Sequence, residues 1–508
     1  MPRTILLNGR RLTRTDFHAV VLGNHRIGLS LRARLGMQRS RALVEKLIAE
    51  KQVVYGVTTG VGSLSTERID PAQARELQLN VVRSHSCGVG EPLGVAETRG
   101  LLLLRANTLA LGLSGVRARL ADMLCAFLNH GIHPVVPRRG SVGASGDLAP
   151  LAHVGLALVG EGEVFFQARR RRAATVMKSL GLKPLVLEAK EGLSLVNGTQ
   201  AMLSVGLLAL RDAEILADTA DVAGALSLDA LRGSRRAFDP RLHEARPHPG
   251  QMISARNLAR LNRGSAINQS HQGCSRVQDA YSLRCMPQVH GAVRDALGYA
   301  CRVFETEMNS ATDNPLVFAR EGEVISGGNF HGQPLATALD LMAIALTQLG
   351  AIAERRVDRL VNPLTSELPA FLSKSPGLES GLMLVQVTAA ALASENKVLA
   401  HPASVDSIPT SGNKEDFVSM GMGAALKLQP VVAHVQTILA IELLCACQAL
   451  DLLSPLKSGK LAERVRVLVR QVSPGVRKDR PLHADIARVT SLVSGGALAD
   501  LVATRSYR

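Results

Sequence analysis

The residues with the most chemical potential are Ala144, Ser145 and Gly146, in the loop Gly140-Ser141-Val142-Gly143-Ala144-Ser145-Gly146-Asp147-Leu148-Ala149-Pro150. A backbone can cyclise when an amide nitrogen reaches the carbonyl carbon two residues back with no side chain in the way. Gly146 supplies that nitrogen and tolerates the strained dihedrals that the attack on Ala144 demands. Loss of water from the ring and from Ser145 would leave a methylidene-imidazolone, a carbon electrophile made from the protein alone. The tripeptide also reads as an ordinary Gly/Ser turn before a helix, with Asp147 near the helix N-terminus.

Taken whole, the loop closely resembles the prosthetic-group loop of the aromatic amino acid ammonia-lyases, in which Ala-Ser-Gly becomes the electrophile that removes ammonia from histidine, phenylalanine or tyrosine. Six further stretches, from Tyr55 to Met420, match the family in order and at similar separations. The resemblance implies 4-methylideneimidazole-5-one formed autocatalytically from Ala144-Ser145-Gly146, no external cofactor and no metal. It also implies a homotetramer whose sites combine residues of several subunits.

It assigns the remaining roles as well. Tyr55, in Tyr55-Gly56-Val57-Thr58-Thr59-Gly60, matches the family's base. A phenolate in positive potential is a sensible acceptor for a weakly acidic β-proton; a packing tyrosine with its hydroxyl satisfied is the other reading. Asn197, in Leu195-Val196-Asn197-Gly198-Thr199-Gln200, matches the asparagine beside electrophile and substrate, where an amide holds an oxygen without adding charge. Its plainer reading is a cap on the helix that follows.

Gln278, Tyr281 and Arg284 lie in Val277-Gln278-Asp279-Ala280-Tyr281-Ser282-Leu283-Arg284-Cys285. The Arg284 guanidinium can grip an α-carboxylate through two parallel hydrogen bonds. By resemblance, Tyr281 supports the electrophile and proton transfer, and Gln278 the carboxylate site. Ala280 and Met286 replace the Pro and Gln of many members. Phe330, before His331 in Ser326-Gly327-Gly328-Asn329-Phe330-His331-Gly332, matches a phenylalanine set against the prosthetic ring.

Two stretches bear on substrate. Ser84-His85 stands where histidine-specific members carry Ser-His, and Glu415, in Ser411-Gly412-Asn413-Lys414-Glu415-Asp416, matches a glutamate typical of the histidine enzymes. A carboxylate and an imidazole suit a ring that donates and accepts hydrogen bonds, and would be left unpaired against a bare phenyl ring. Lys414 and Phe417 depart from the usual Gln-Glu-Asp-His, and some tyrosine-using relatives also carry Ser-His. The expectation is therefore elimination of ammonia from L-histidine to trans-urocanate. The alternatives are the same chemistry on tyrosine or phenylalanine, an aminomutase, or a basic helical binding protein whose loop never cyclises.

Other chemistries find less support. Gly60-Val61-Gly62-Ser63 lacks the third glycine and the βαβ setting of a dinucleotide site. His85, His271, His331 and His401 show no metal-ligand spacing. Ser145 is not in a GxSxG elbow, since Gly146 follows it and Asp147 takes the final position. The formal charge of +16 suggests nucleic acid, with Arg169-Arg170-Arg171-Arg172 as the patch. But the basic residues are spread along the chain without interleaved aromatics, so that run is expected to be a solvated loop and no nucleic-acid partner is expected.

The elements that must position these residues are helical. The chain has 508 residues, 46% hydrophobic and 20% charged, with aromatics only 3%. That balance favours a large globular, all-α protein. Seven cysteines without a CxxC pair read as reduced thiols in a cytoplasmic protein, Cys445 and Cys447 among them as small core residues. Met1-Pro2-Arg3-Thr4-Ile5-Leu6-Leu7-Asn8 shows no targeting pattern. No uninterrupted apolar run is expected to reach membrane length, the longest, after Asn197, being broken by Asp212, Glu214, Asp218 and Asp221.

Leu43, Leu47 and Ile48 mark an amphipathic helix, Asp70-Pro71 a helix start, and two helical runs lie between Thr98 and Asn129. Apolar spacing of three and four predicts long helices over Met202–Leu231, Val289–Met308, Leu335–Leu360, Leu382–Leu399 and Met420–Leu453. Gly322-Glu323-Val324-Ile325-Ser326 suggests a short hairpin arm. The expected organisation is a mixed, mostly helical domain over 1–200 carrying the loop. A long-helix bundle of the fumarase/aspartase-like type, with a C-terminal helical region, follows over 201–508.

Overall fold

A computed structural model describes residues 4–274 and 277–502, so Met1-Pro2-Arg3 of the N-terminal stretch lie outside the described residues. Long helices dominate, as their spacing requires. They span Gln200–Ala230, Met286–Glu307, Gln333–Val361, Met383–Leu399 and Gly421–Leu452, each within three residues of the expected ends.

The chain divides into two compact units. Unit 1 comprises Met1–Leu208, Cys301–Leu339 and Pro402–Leu426; unit 2 comprises Ala209–Ala300, Asp340–His401 and Lys427–Arg508. This differs from the division at residue 200, which assigns 201–508 to one body. The reason is helix length: four of the five long helices begin in one unit and finish in the other, so their ends return 301–339 and 402–426 to unit 1.

In unit 1, helix Leu31–Ala49 starts at Ser30, whose hydroxyl accepts from Ala33 N at 3.2 Å, and buries Val44 and Leu47. Asp70 accepts from Ala72 N at 2.8 Å and opens a short 3-10 turn leading into Ala74–His85. The two helical runs are Val95–Ala110, almost wholly buried, and Ala118–Asn129, packed together. The hairpin forms between Leu316–Phe318 and Glu323–Ile325. Arg169–Arg172 is not the expected loop but an exposed edge strand, antiparallel to Glu163–Phe166, where Arg170 Nε donates to Glu163 at 3.0 Å. Short range order in such a run is set by its backbone partner, and charge on an edge strand discourages further pairing.

Among its described residues, unit 2 carries helices and no strand. Gln333–Val361 and Gly421–Leu452, of 29 and 32 residues, are long and apolar enough to cross a membrane, their most apolar stretches having mean hydropathy 1.7, although Asp340 interrupts the first and Lys427 and Glu442 the second. Their most apolar windows are 61% and 72% buried in the protein, as in the core helices of a bundle. Cys445 and Cys447 sit in that core, and burial pushes the Cys447 thiol up to about 12. Among the described residues no disulfide forms.

Candidate active site

The Ala144-Ser145-Gly146 loop is fixed on both flanks by backbone contacts. Gly146 has φ +74° and pairs with Gly198; a Cβ on it would lie 2.1 Å from the Gly198 carbonyl oxygen. Only glycine fits there. Asp147 N donates to Gly198 O at 2.6 Å, and Gly198 N donates to Ser145 O at 3.2 Å. On the other flank Met420 N donates to Val142 O at 2.8 Å and the Ser419 hydroxyl to Gly143 O at 3.1 Å.

Asp147 departs from its expected place. It precedes helix Leu148–Leu158, yet its side chain makes no cap bond there. Instead Oδ2 accepts from Met202 N at 2.8 Å, in the first turn of Gln200–Ala230, and Oδ1 accepts from the Ser141 hydroxyl at 2.9 Å. Burial raises its carboxyl to about 6 against those hydrogen bonds.

Ser145 faces Glu415: its hydroxyl donates to Oε1 at 3.0 Å, while Thr410 donates to Oε2 at 2.7 Å. Thr410 and Glu415 also pair through their backbones. The turn between them has three successive left-handed residues, Ser411 (φ 50°), Gly412 (59°) and Asn413 (64°). Ser84 and His85 are hydrogen-bonded through Oγ and Nδ1 at 3.0 Å. Burial holds the imidazole below its ordinary range, opposed by a backbone hydrogen bond at Val81 and by the charge of Glu415.

Tyr55 accepts a 3.0 Å hydrogen bond from Gly62 N on its phenol oxygen. Its loop meets the Glu415 turn, since a Cβ on Gly62 would lie 2.9 Å from the Ser411 hydroxyl. Asn197 does not cap the helix that follows. Its Nδ2 donates to Asn314 O at 3.4 Å, and its buried Oδ1 has no partner. Behind it Arg105, fully buried and lowered to about 10 by burial, donates to Asn197 O at 2.7 Å and to Ser194 O.

Tyr55, Ala144, Ser145, Asn197, Phe330 and Glu415 line a cavity of about 480 Å³ within unit 1; Ser84 and His85 are not in its wall. Lys414 and Phe417 line it too. The Phe417 ring stacks on His331 at 6.2 Å and 16°. A carboxylate, an amide oxygen without a donor, a phenol and the Ala-Ser-Gly turn therefore share one space. Among the described residues no group of three His, Cys, Asp or Glu side chains is placed to hold a metal ion.

Unit 2 carries the other expected residues on its own surface. Gln278 and Tyr281 are exposed. The Arg284 guanidinium lies 4.6 Å from the centroid of the Tyr281 ring, its buried Nε without a partner. Sequence reasoning missed Thr410, Ser419 and Arg105. A lone hydroxyl gives no sequence signal, and an arginine between leucines gives no sign that it is buried.

The aromatic amino acid lyase family matches residues 12–471. The histidine ammonia-lyase of Koribacter versatilis is 58% identical, covering 98% of this chain and 99% of its own. Among solved structures, histidine ammonia-lyase from Trypanosoma cruzi superposes with a TM-score of 0.91 at 44% identity, covering 98% of this chain and 95% of that one. Tyrosine aminomutase from Streptomyces globisporus superposes with a TM-score of 0.93 at 38% identity, covering 99% and 98%.

Proposed function

The chain belongs to the aromatic amino acid lyase family, and we propose that it eliminates ammonia from L-histidine to give trans-urocanate. The single observation that carries the substrate is the Glu415 carboxylate, fixed by Thr410 and by the Ser145 hydroxyl in the cavity wall, with its charge felt at the His85 imidazole. A ring with an N–H and a ring nitrogen can satisfy both groups; a phenyl ring cannot.

When formed from Ala144-Ser145-Gly146, the prosthetic group supplies a carbon electrophile for the substrate amine. The fit rests on three features: the Gly146–Gly198 approach that admits no side chain, the buried anchor Asp147, and the partnerless Asn197 oxygen. The chain's own residues do the rest. Arg284 fixes the α-carboxylate bidentately, with the Tyr281 ring behind its guanidinium, and Gln278 assists it. Tyr55 accepts the β-proton, its phenol oxygen held in place by the hydrogen bond from Gly62 N. Asn197 holds an oxygen of the substrate and Phe330 closes the wall. A homotetramer in the cytoplasm belongs to the same proposal.

The test is a substrate panel. The purified protein is incubated with L-histidine, L-tyrosine and L-phenylalanine while the ultraviolet absorption of the unsaturated acids is followed. Urocanate alone is the expected product. Coumarate or cinnamate without urocanate, or a β-amino acid in its place, would reject the assignment.

A further inference from the structure

Four long helices of unit 2 meet at a buried polar network that neither proton transfer nor ring recognition uses. Arg356, on Gln333–Val361, and Glu442, on Gly421–Leu452, are fully buried and paired twice, Nη2 to Oε2 at 2.9 Å and Nε to Oε1. Ser227, on Gln200–Ala230, donates to the same Oε1 at 2.6 Å. His290, on Met286–Glu307, donates from Nδ1 to Asp221 at 2.8 Å and accepts from Arg356 Nη1 on Nε2 at 3.4 Å. Asp221 is further held by Ser254, by Asn257 at 2.9 Å and by Arg294 at 2.7 Å.

Within this network one arm reaches the turn that carries Arg284. Arg356 Nη1 also donates to the carbonyl oxygen of Ser282 at 3.4 Å, in the middle of the single turn Tyr281–Arg284. The seat is built for it. A Cβ on Gly224 would crowd the Met286 sulfur, so glycine there leaves room for that side chain beside Arg356. Leu283 is buried beneath the turn, whose own bonds are Leu283 N and Arg284 N to Ala280 O at 3.0 Å and Cys285 N to Tyr281 O at 2.8 Å. Those bonds shape the turn but do not fasten it to the bundle.

A buried ion pair adds little stability over well-packed apolar side chains, so its presence calls for a geometric reason. We infer that Arg356 is a positioning residue that locks the Tyr281–Arg284 turn to the bundle and fixes the direction from which Arg284 grips the substrate carboxylate. The inference rests on the proposed elimination from histidine.

The test uses the full-length enzyme and Arg356→Lys, which keeps a cation beside Glu442 but loses the arm to Ser282. Loss of a grip shared by ground and transition states raises KM with little change in kcat, here by about tenfold. Inhibition by imidazole, which has no carboxylate, is expected to stay at the wild-type value. An unchanged KM for histidine, or equal losses for histidine and imidazole, would overturn the inference. If Arg356→Lys does not fold, the double variant Arg356→Met with Glu442→Leu decides the question, because it removes both buried charges and the same arm. Wild-type protein without urocanate formation would reject the reaction itself, whereas turnover with an unmoved KM in these variants rejects only the role of Arg356.

Discussion

The hydroxyl of Ser145 donates a 3.0 Å hydrogen bond to Oε1 of Glu415 across 270 residues of chain. The residue expected to become the electrophilic carbon is thus in contact with the residue expected to choose the substrate ring. A ring that meets Glu415 lies within reach of residue 145 without further adjustment.

Glu415→Gln keeps the shape of that contact and exchanges a charged acceptor for a neutral amide. Hydrogen bonds to charged groups contribute about 1.5–3 kcal/mol, so kcat/KM for histidine should fall roughly 10- to 100-fold. Any turnover of tyrosine should change less. Steady-state rates on both amino acids check this; equal losses would show that Glu415 does not discriminate between the rings.

Ser145→Ala removes the hydroxyl that leaves as water. The variant should fold with a wild-type melting curve and form no urocanate. Its intact mass should equal that of the encoded chain, against a wild type lighter by two waters, about 36 Da. A wild-type mass without that loss would contradict cyclisation outright.

Tyr55 carries its phenol oxygen 3.0 Å from the Gly62 amide nitrogen, and the loop around it buries Val57 and Thr59. Tyr55→Phe should leave this packing intact. General-base contributions run to about 10²–10⁴-fold, so kcat should fall by that order while KM moves little. A KM rise with kcat preserved would make Tyr55 a binding residue and leave the base elsewhere.

The long helices were legible because apolar residues at spacings of three and four are a local signal, and Gln200–Ala230 and Gly421–Leu452 follow it closely. Contacts between distant loops leave no such trace. Nothing in Thr410 or Ser419 shows that one fixes Glu415 and the other Gly143. Arg169–Arg172 misled because its strand is imposed by Glu163–Phe166, and Arg105 because a guanidinium is normally solvated. The candidate site residues were named by type and motif. Their coupling came only with the fold.

Asp147 gives the site a pH signature of its own. Its carboxyl is fully buried, with Met202 N and the Ser141 hydroxyl on its two oxygens, and burial raises it from 3.8 to about 6 in the folded protein. The folded state therefore binds this proton more tightly than the unfolded chain does. The stabilisation is fully present below pH 3.8 and is lost as the pH rises through 6. A difference of about two pKa units corresponds to roughly 3 kcal/mol. Asp147→Asn has no proton to lose, so its stability lacks this component. Urea unfolding of both proteins between pH 4 and 8 should show the wild type losing about 3 kcal/mol relative to Asp147→Asn, most of it between pH 4 and 6. Parallel stability curves would mean that Asp147 ionises as easily in the fold as in water, and that the hydrogen bonds from Met202 and Ser141 offset its burial in full.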